Sequence, residues 1–370
     1  MPEKKKHVWK FKNLLEYESY VYGPEYSEPF VSATLTGDSG GLSFNDYCVG
    51  YNLKNIEQDL IDIPLTFKIL SGGTIRFSSN GTIIDDRTIE YKKNDEEYVS
   101  ITSNTEGVII NVSPGDVVKF RGNNESMGSF VSPNYSYTTF CGSTAVFDVY
   151  GNIMSLLDKD NFQNATSLTG TYNFAQLFRE CNGLKSVKNM VMPAKALTLR
   201  CYQSMFYHCY NMQDCPELPA TTLSNLCYSA MFNNCRSMAM VPELPAKNLA
   251  ERCYEYMFSG CTSLTNGPEL PATNLVTGCY QYMFINCNNL LASPDLIAQT
   301  LVQNCYRGMF SGCTKLNYIK CTATNISASA AIQNWVSGVQ TKNGTFIKNS
   351  STSWSRGVSG VPNNWTIENG

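Results

Sequence analysis

The sequence predicts an α+β protein: an N-terminal antiparallel β-sandwich followed by a solenoid of 26-residue repeats. Two observations predict it, a motif recurring at a fixed step through the second half and short apolar runs bounded by turn residues in the first. Cys201, Cys227, Cys253, Cys279 and Cys305 are 26 residues apart, each followed by Tyr and, three residues after that, by Met-Phe. A second series, Cys209, Cys235, Cys261, Cys287 and Cys313, lies eight residues downstream of the first. Pro-Glu-Leu-Pro-Ala recurs at 216–220, 242–246 and 268–272, with a degenerate copy at 294–298. A fixed period of this size marks a solenoid, in which each unit buries its apolar face only against its neighbours.

Within one repeat, Leu249, Cys253 and Met257 are four apart, and Phe258 and Cys261 extend the stripe. That spacing predicts a helix of about three turns. Pro268 and Pro271 then forbid helix and favour an extended rung too short of donors for a long ladder strand. Along such a rung Leu218, Leu244, Leu270 and Leu296 point inward, and Glu217, Glu243, Glu269 and Asp295 point outward. One unit cannot stand alone, because a handful of buried side chains at roughly 1.5–3 kcal/mol each falls short of backbone ordering at about 1–2 kcal/mol per residue. Upstream, Leu177-Phe178 and Cys181 match Met205-Phe206 and Cys209, so the array begins near Thr171 with an atypical copy suited to capping.

The pattern Cys-Tyr-x-x-Met-Phe-x-x-Cys-x-x-Leu followed by Pro-Glu-Leu-Pro-Ala resembles the BspA-like leucine-rich repeats of gut Bacteroidota and their phages, although the period is longer than the usual BspA unit. The layout, with residues 151–156 before the array and 317–321 after it, resembles a recurrent Bacteroides and crAss-like phage architecture. The resemblance implies a leucine-rich-repeat solenoid and a surface or virion interaction protein.

Composition narrows the function classes. The 370 residues are 43% apolar and 12% aromatic, ample for a packed core. A net charge of −3 and a pI near 5.6 give no basic field for nucleic acid. No apolar run reaches the length of a membrane span, and the N-terminus lacks an apolar leader, which predicts neither membrane insertion nor export by its own signal. Thirteen of the fifteen cysteines lie between Cys181 and Cys321. Stacked equivalents come within bridging range, but a cytoplasmic assembly site predicts reduced thiols acting as small apolar fillers. Seven residues separate the two cysteines of a repeat, against two to four between zinc ligands, so no metal site is expected.

Taken in order, residues 1–63 are tyrosine-rich and acidic and read as a segment that anchors to a larger assembly. Residues 64–150 alternate short strands with turns, including 108–112 and 117–121 as a hairpin around Ser113-Pro114-Gly115-Asp116. Residues 151–321 hold the junction, with a short helix at 153–157, and the array; 322–370 form a C-terminal cap in which the period fails, a helix spans 327–336, a strand spans 344–348, and Trp335, Trp354 and Trp365 cover the last rung.

Catalysis finds little support. Only His7 and His208 are present, and His208 occupies a position filled elsewhere by Asn234, Gly260, Asn286 and Gly312. Adjacent carboxylates invite a glycosidase reading, yet a repeat gives each the same surroundings, and acid and nucleophile need different ones. The expected function is therefore a non-enzymatic phage virion protein, a tail fibre or head decoration, with neither cofactor nor catalytic residues. Its expected partners are other virion proteins through the N-terminal segment and a host surface glycan or protein; self-association is left open. The alternatives are a BspA-type adhesin on the bacterial cell surface and a polysaccharide-active enzyme. Glu217, Glu243, Glu269 and Asp295 are the expected binding residues, with Gln203, Ser229, Glu255, Gln281 and Arg307 on the opposite face as rivals. The repeated Tyr202, Tyr228, Tyr254, Tyr280 and Tyr306 read as packing rather than as a sugar platform.

Overall fold

Short alternating runs become nine strands in the first half of the computed structural model, which describes residues 60–83 and 85–370. These are β1 (Leu65–Ser71), β2 (Gly73–Gly81), β3 (Thr88–Lys93), β4 (Val99–Thr102), β5 (Val108–Val112), β6 (Val117–Gly122), β7 (Gly128–Val131), β8 (Asn134–Thr139) and β9 (Val146–Asn152). One antiparallel sheet runs β4-β3-β6-β1-β9, and a second runs β5-β2-β8-β7. Their apolar faces meet over Phe67, whose ring lies 4.6 Å from Phe147, 4.8 Å from Phe120 and 4.9 Å from Phe140. The expected strands at 108–112 and 117–121 both form, whereas β7 and β8 went unanticipated. Most of the anchoring segment expected over 1–63 lies outside the described residues.

The hairpin expected at 108–121 is an arch instead. β5 pairs with β2, while β6 pairs with β1 and β3 in the other sheet. The turn chemistry is as anticipated, with Asp116 accepting from Ser113 N at 2.9 Å and Gly115 at φ 88°. The strands separate because Ile110 and Val112 face the shared core from one side and Val118 and Phe120 from the other.

β9 carries the chain onward. β10 (Leu184–Ser186) and β11 (Met190–Val191) pair with it in parallel, so the first sheet continues into the first unit of the array. Gly151 sits at this junction with φ 80°, and a Cβ there would meet Pro64 O at 2.4 Å, which only glycine avoids. The expected helix at 153–157 is one 3-10 turn, Ile153–Leu156, capped by the Asn152 side chain.

The largest departure concerns the stripe read as helical. Arg252, Tyr256 and Gly260 have φ of 51, 56 and 69°, and Arg200, Ser204 and His208 repeat that backbone two units upstream. An α-helix contains no such residues. The chain runs instead through consecutive β-turns: Met257 N–H bonds to Tyr254 O and Ser259 N–H to Tyr256 O. The residues between, Tyr254, Tyr256, Phe258 and Gly260, donate to Cys279, Gln281, Met283 and Ile285 of the next unit. Local and inter-unit bonds alternate residue by residue, which satisfies the backbone without helix or continuous strand. Each four-residue step carries an adjacent pair of side chains inward, Cys253 with Tyr254 and then Met257 with Phe258, and four is close enough to 3.6 to imitate a helix over a dozen residues. Little of the α part of the expected α+β class is thus present: beyond Ile61 the helical pieces among the described residues are two short 3-10 turns, and the protein is β-rich.

Two aromatic columns fill the array. Tyr202, Tyr228, Tyr254, Tyr280 and Tyr306 stack at centroid separations of 5.7–6.0 Å. Phe178, Phe206, Phe232, Phe258, Phe284 and Phe310 stack at 5.5–5.9 Å. The phenylalanine column begins on Phe140 of the sheets, 5.6 Å from Phe178, and ends on Trp335, 6.1 Å from Phe310. One core therefore runs through residues 62–370, which pack as one unit. On the Pro-rich side a single parallel bridge per unit links Ala196, Thr222, Asn248 and Asn274, as two prolines per rung dictate.

The turns do not stop where the cysteine motif does. Ala330, Asn334 and Gly338 have φ of 53, 54 and 79°, and Phe310 N–H bonds to Trp335 O at 2.8 Å, so the helix expected over 327–336 is another run of turns. The backbone pattern needs apolar fillers and left-handed residues, and Ala331, Trp335 and Val336 supply the former without Cys, Met or Phe. A parallel sheet of β12 (Tyr318–Cys321), β13 (Thr345–Lys348) and β14 (Thr366–Asn369) follows. Trp335 and Trp365 are buried, as expected of covering residues, and their indole N–H groups bond Gly360 O and Thr341 O. No helix among the described residues is long and apolar enough to cross a membrane.

Candidate functional site

The Pro-Glu-Leu-Pro-Ala rungs place their side chains as alternation requires. Leu218, Leu244, Leu270 and Leu296 are at most 5% exposed, and Glu217, Glu243, Glu269 and Asp295 are exposed. Asp295 accepts from Lys320 Nζ of the following unit at 2.6 Å, and this carboxylate holds the ammonium above its usual pKa. Among the described residues Glu217, Glu243 and Glu269 make no hydrogen bond or ion pair. Like charges about 5 Å apart repel by roughly 0.8 kcal/mol even in water. Glu217, Glu243, Glu269 and Asp295 thus form a negative stripe in register, of which Asp295 alone is neutralised.

The rival face is a poorer candidate. Ser229 and Gln281 are buried, and Gln203, Glu255 and Arg307 are half-buried, because their backbones join the inter-unit ladder and tie the side chains to the neighbouring layers. Burial pushes the Glu255 carboxyl up despite Arg252 and Arg200. The five repeated tyrosines are at most 2% exposed, as the packing reading expects, and stacking occupies their ring faces.

His208 has a backbone role that sequence reasoning missed. It adopts φ 62°, and its equivalents Asn234, Gly260, Asn286 and Gly312 share that left-handed conformation. Gly, Asn and His are the types that tolerate it, so the substitution pattern itself was the signal. Asn234 lies 3.2 Å from Nε2 and Tyr210 Oη 3.1 Å from Nδ1, an arrangement met when the Asn234 amide donates to Nε2 and Nδ1–H donates to the tyrosine. Burial lowers the imidazole pKa, which keeps the ring neutral.

The fourteen described cysteines are unpaired. Those of the second series also do more than fill space: Cys209, Cys235, Cys261, Cys287 and Cys313 donate S–H to the carbonyls of Phe178, Phe206, Phe232, Phe258 and Phe284 at 2.9–3.1 Å. Burial pushes the Cys287 thiol up to about 12, far from the thiolate that nucleophilic or metal chemistry requires. No cluster of metal-ligating side chains occurs among the described residues.

A second polar assembly, which the sequence did not announce, lies on the sheets. Glu90 accepts from Lys159 Nζ at 2.5 Å and Arg121 Nε at 2.7 Å, and these cations hold its carboxyl below the usual range. Asp85 is gripped by Arg87, whose Nη2 lies 2.7 Å from Oδ2. The partners come from scattered elements, so no motif spacing revealed them. No protein-family model, curated protein or solved structure matches the chain.

Proposed function

We propose that this chain is a non-enzymatic adhesion protein: an N-terminal β-sandwich joined to a BspA-like leucine-rich-repeat solenoid, carried on a phage particle and presented to a host surface glycan or protein. In this reading the segment at 1–63 attaches to other virion proteins and the rung face makes the contact. The observation that carries it is the row of exposed, unpaired Glu217, Glu243 and Glu269 at constant spacing on a backbone bonded unit to unit. Such a surface offers repeated, equivalent contacts, which suits attachment and gives no differentiated acid and base for hydrolysis.

Peptide mass spectrometry of purified particles tests the location, and host-cell attachment by the Glu243→Gln, Glu269→Gln double variant tests the surface. We expect the chain in particles, and a roughly two- to tenfold weaker attachment with a shallower salt dependence, the scale of rim charges. Unchanged attachment in the variant would remove the rung face from the contact. Recovery of the chain from the bacterial cell surface and never from particles would replace the virion by a BspA-type adhesin.

A further inference from the structure

We propose a second binding site, a groove for neutral oligosaccharides on the sheet-forming half of the molecule, next to the first 26-residue unit. It deepens the adhesion reading by naming a glycan class, and it rests on that reading only for its biological use.

The groove consists of two clefts. One, of about 700 Å³, is lined by Asp85, Arg87, Glu90, Lys159 and Phe130 among others, and a second, of about 630 Å³, reaches towards Asp158 and Asn164. Both include residues 123–125, so a single wall separates them and an extended chain crossing it fills both. Each volume falls in the range of small-ligand sites, roughly 300–1,000 Å³.

Three features identify the ligand class. First, the polar groups are already fixed: Lys159 and Arg121 hold Glu90, Arg87 holds Asp85, and Arg87 Nε donates to Ser126 O at 2.6 Å. Hydroxyls, which both donate and accept, match this mixture of carboxylate, amide and ammonium, and pre-ordered partners spare the ordering penalty of binding. Second, Phe130 lies on the rim with 43% of its surface open, backed by Tyr172 at 5.7 Å with the Arg200 guanidinium over both rings. A braced, exposed ring suits the apolar face of a pyranose. Third, carboxylates outnumber Arg87 and Lys159 along the lining, a balance that repels uronates, sialosides, phosphopolymers and nucleic acid. Among sugar chains, the neutral ones meet no such repulsion.

Titration calorimetry of the full chain tests this with maltohexaose, cellohexaose, mannohexaose and xylohexaose, and with trigalacturonate and hexalysine as charged controls. We expect a neutral hexasaccharide to bind more tightly than its disaccharide. Phe130→Ala is expected to weaken it by about tenfold, the scale of an aromatic contact. Glu125→Ala, at an exposed position on the shared wall, is expected to lower hexasaccharide affinity more than disaccharide affinity, and melting curves verify that both variants are folded. Absence of binding by all four neutral hexasaccharides, binding only of trigalacturonate or hexalysine, or unchanged affinity in both variants would overturn the proposal. Cell attachment separates this site from the rung face: loss in Glu243→Gln, Glu269→Gln with Phe130→Ala unaffected leaves the adhesion reading standing and sinks the groove's part in it.

Discussion

The sheets and the array bury aromatic rings in opposite ways. Around Phe67 the partners sit at interplanar angles of 12, 59 and 63°, each ring in surroundings found nowhere else in the chain. In the array the phenylalanine rings lie within 10° of parallel from Phe178 to Phe310, each surrounded by copies of itself. The backbone differs in the same sense. β1 pairs with strands about 50 and 80 residues away, whereas each array unit bonds to the next through N–H and C=O groups 25 residues apart. Long-range pairing thus ties the sheets together across distant segments, while each layer of the array rests on its immediate neighbours.

A truncation would strain that contrast most. Ending the chain after Ala272 removes the layers that cover Tyr254 and Phe258 and also the terminal tryptophans, leaving the column ends facing water. The product is expected to aggregate, as read by size-exclusion chromatography; a soluble monomer with an unchanged Tm would show that the layers do not rely on one another. A smaller effect compares one conformation in two settings. Gly115 at φ 88° has open space within 4 Å of the point a Cβ would occupy, so Gly115→Ala measures backbone strain alone, about 1–2 kcal/mol. Gly312 at φ 76° would bring its Cβ within 2.3 Å of Oδ1 of the exposed Asn286, so Gly312→Ala adds displacement of that side chain and is expected to lose somewhat more in urea unfolding. Equal losses would mean that the array yields as freely as an open turn.

The smallest expected effect is electrostatic. Lys159 and then Arg121 depress the pKa of Glu90 in the folded state, so its contribution is present above the unfolded carboxylate pKa and disappears as pH falls through the lower, folded value. For partly exposed pairs this amounts to less than about 1 kcal/mol. Glu90→Gln is expected to flatten the acid limb of the Tm profile slightly. An acid limb identical to that of the unsubstituted protein would contradict the assignment of Lys159 and Arg121 as partners of Glu90.

Much of the array was legible residue by residue. The inward Leu270 beside the outward Glu269, the buried Tyr254 and the covering Trp335 all follow from period and polarity, which neighbouring side chains carry along the chain whatever conformation it adopts. The candidate stripe was legible for the same reason. The helix was misread because Leu249, Cys253 and Met257 repeat every four residues in a run of turns as they nearly do in a helix. Asn234, Gly260 and Asn286, alternating at one position, held the correction.

By itself, the sequence determined the repeat, its register, the inward and outward residues of the rungs, and most strands of the first half apart from β7 and β8, because these depend on local periodicity. Tertiary structure alone decided that β5 and β6 part into different sheets, that β9 joins those sheets to the array, and that Glu90, Arg121 and Lys159 meet beside a cleft. Those outcomes depend on which distant segments share a core and on where left-handed residues turn the backbone toward its neighbour, and both are settled only when the layers pack.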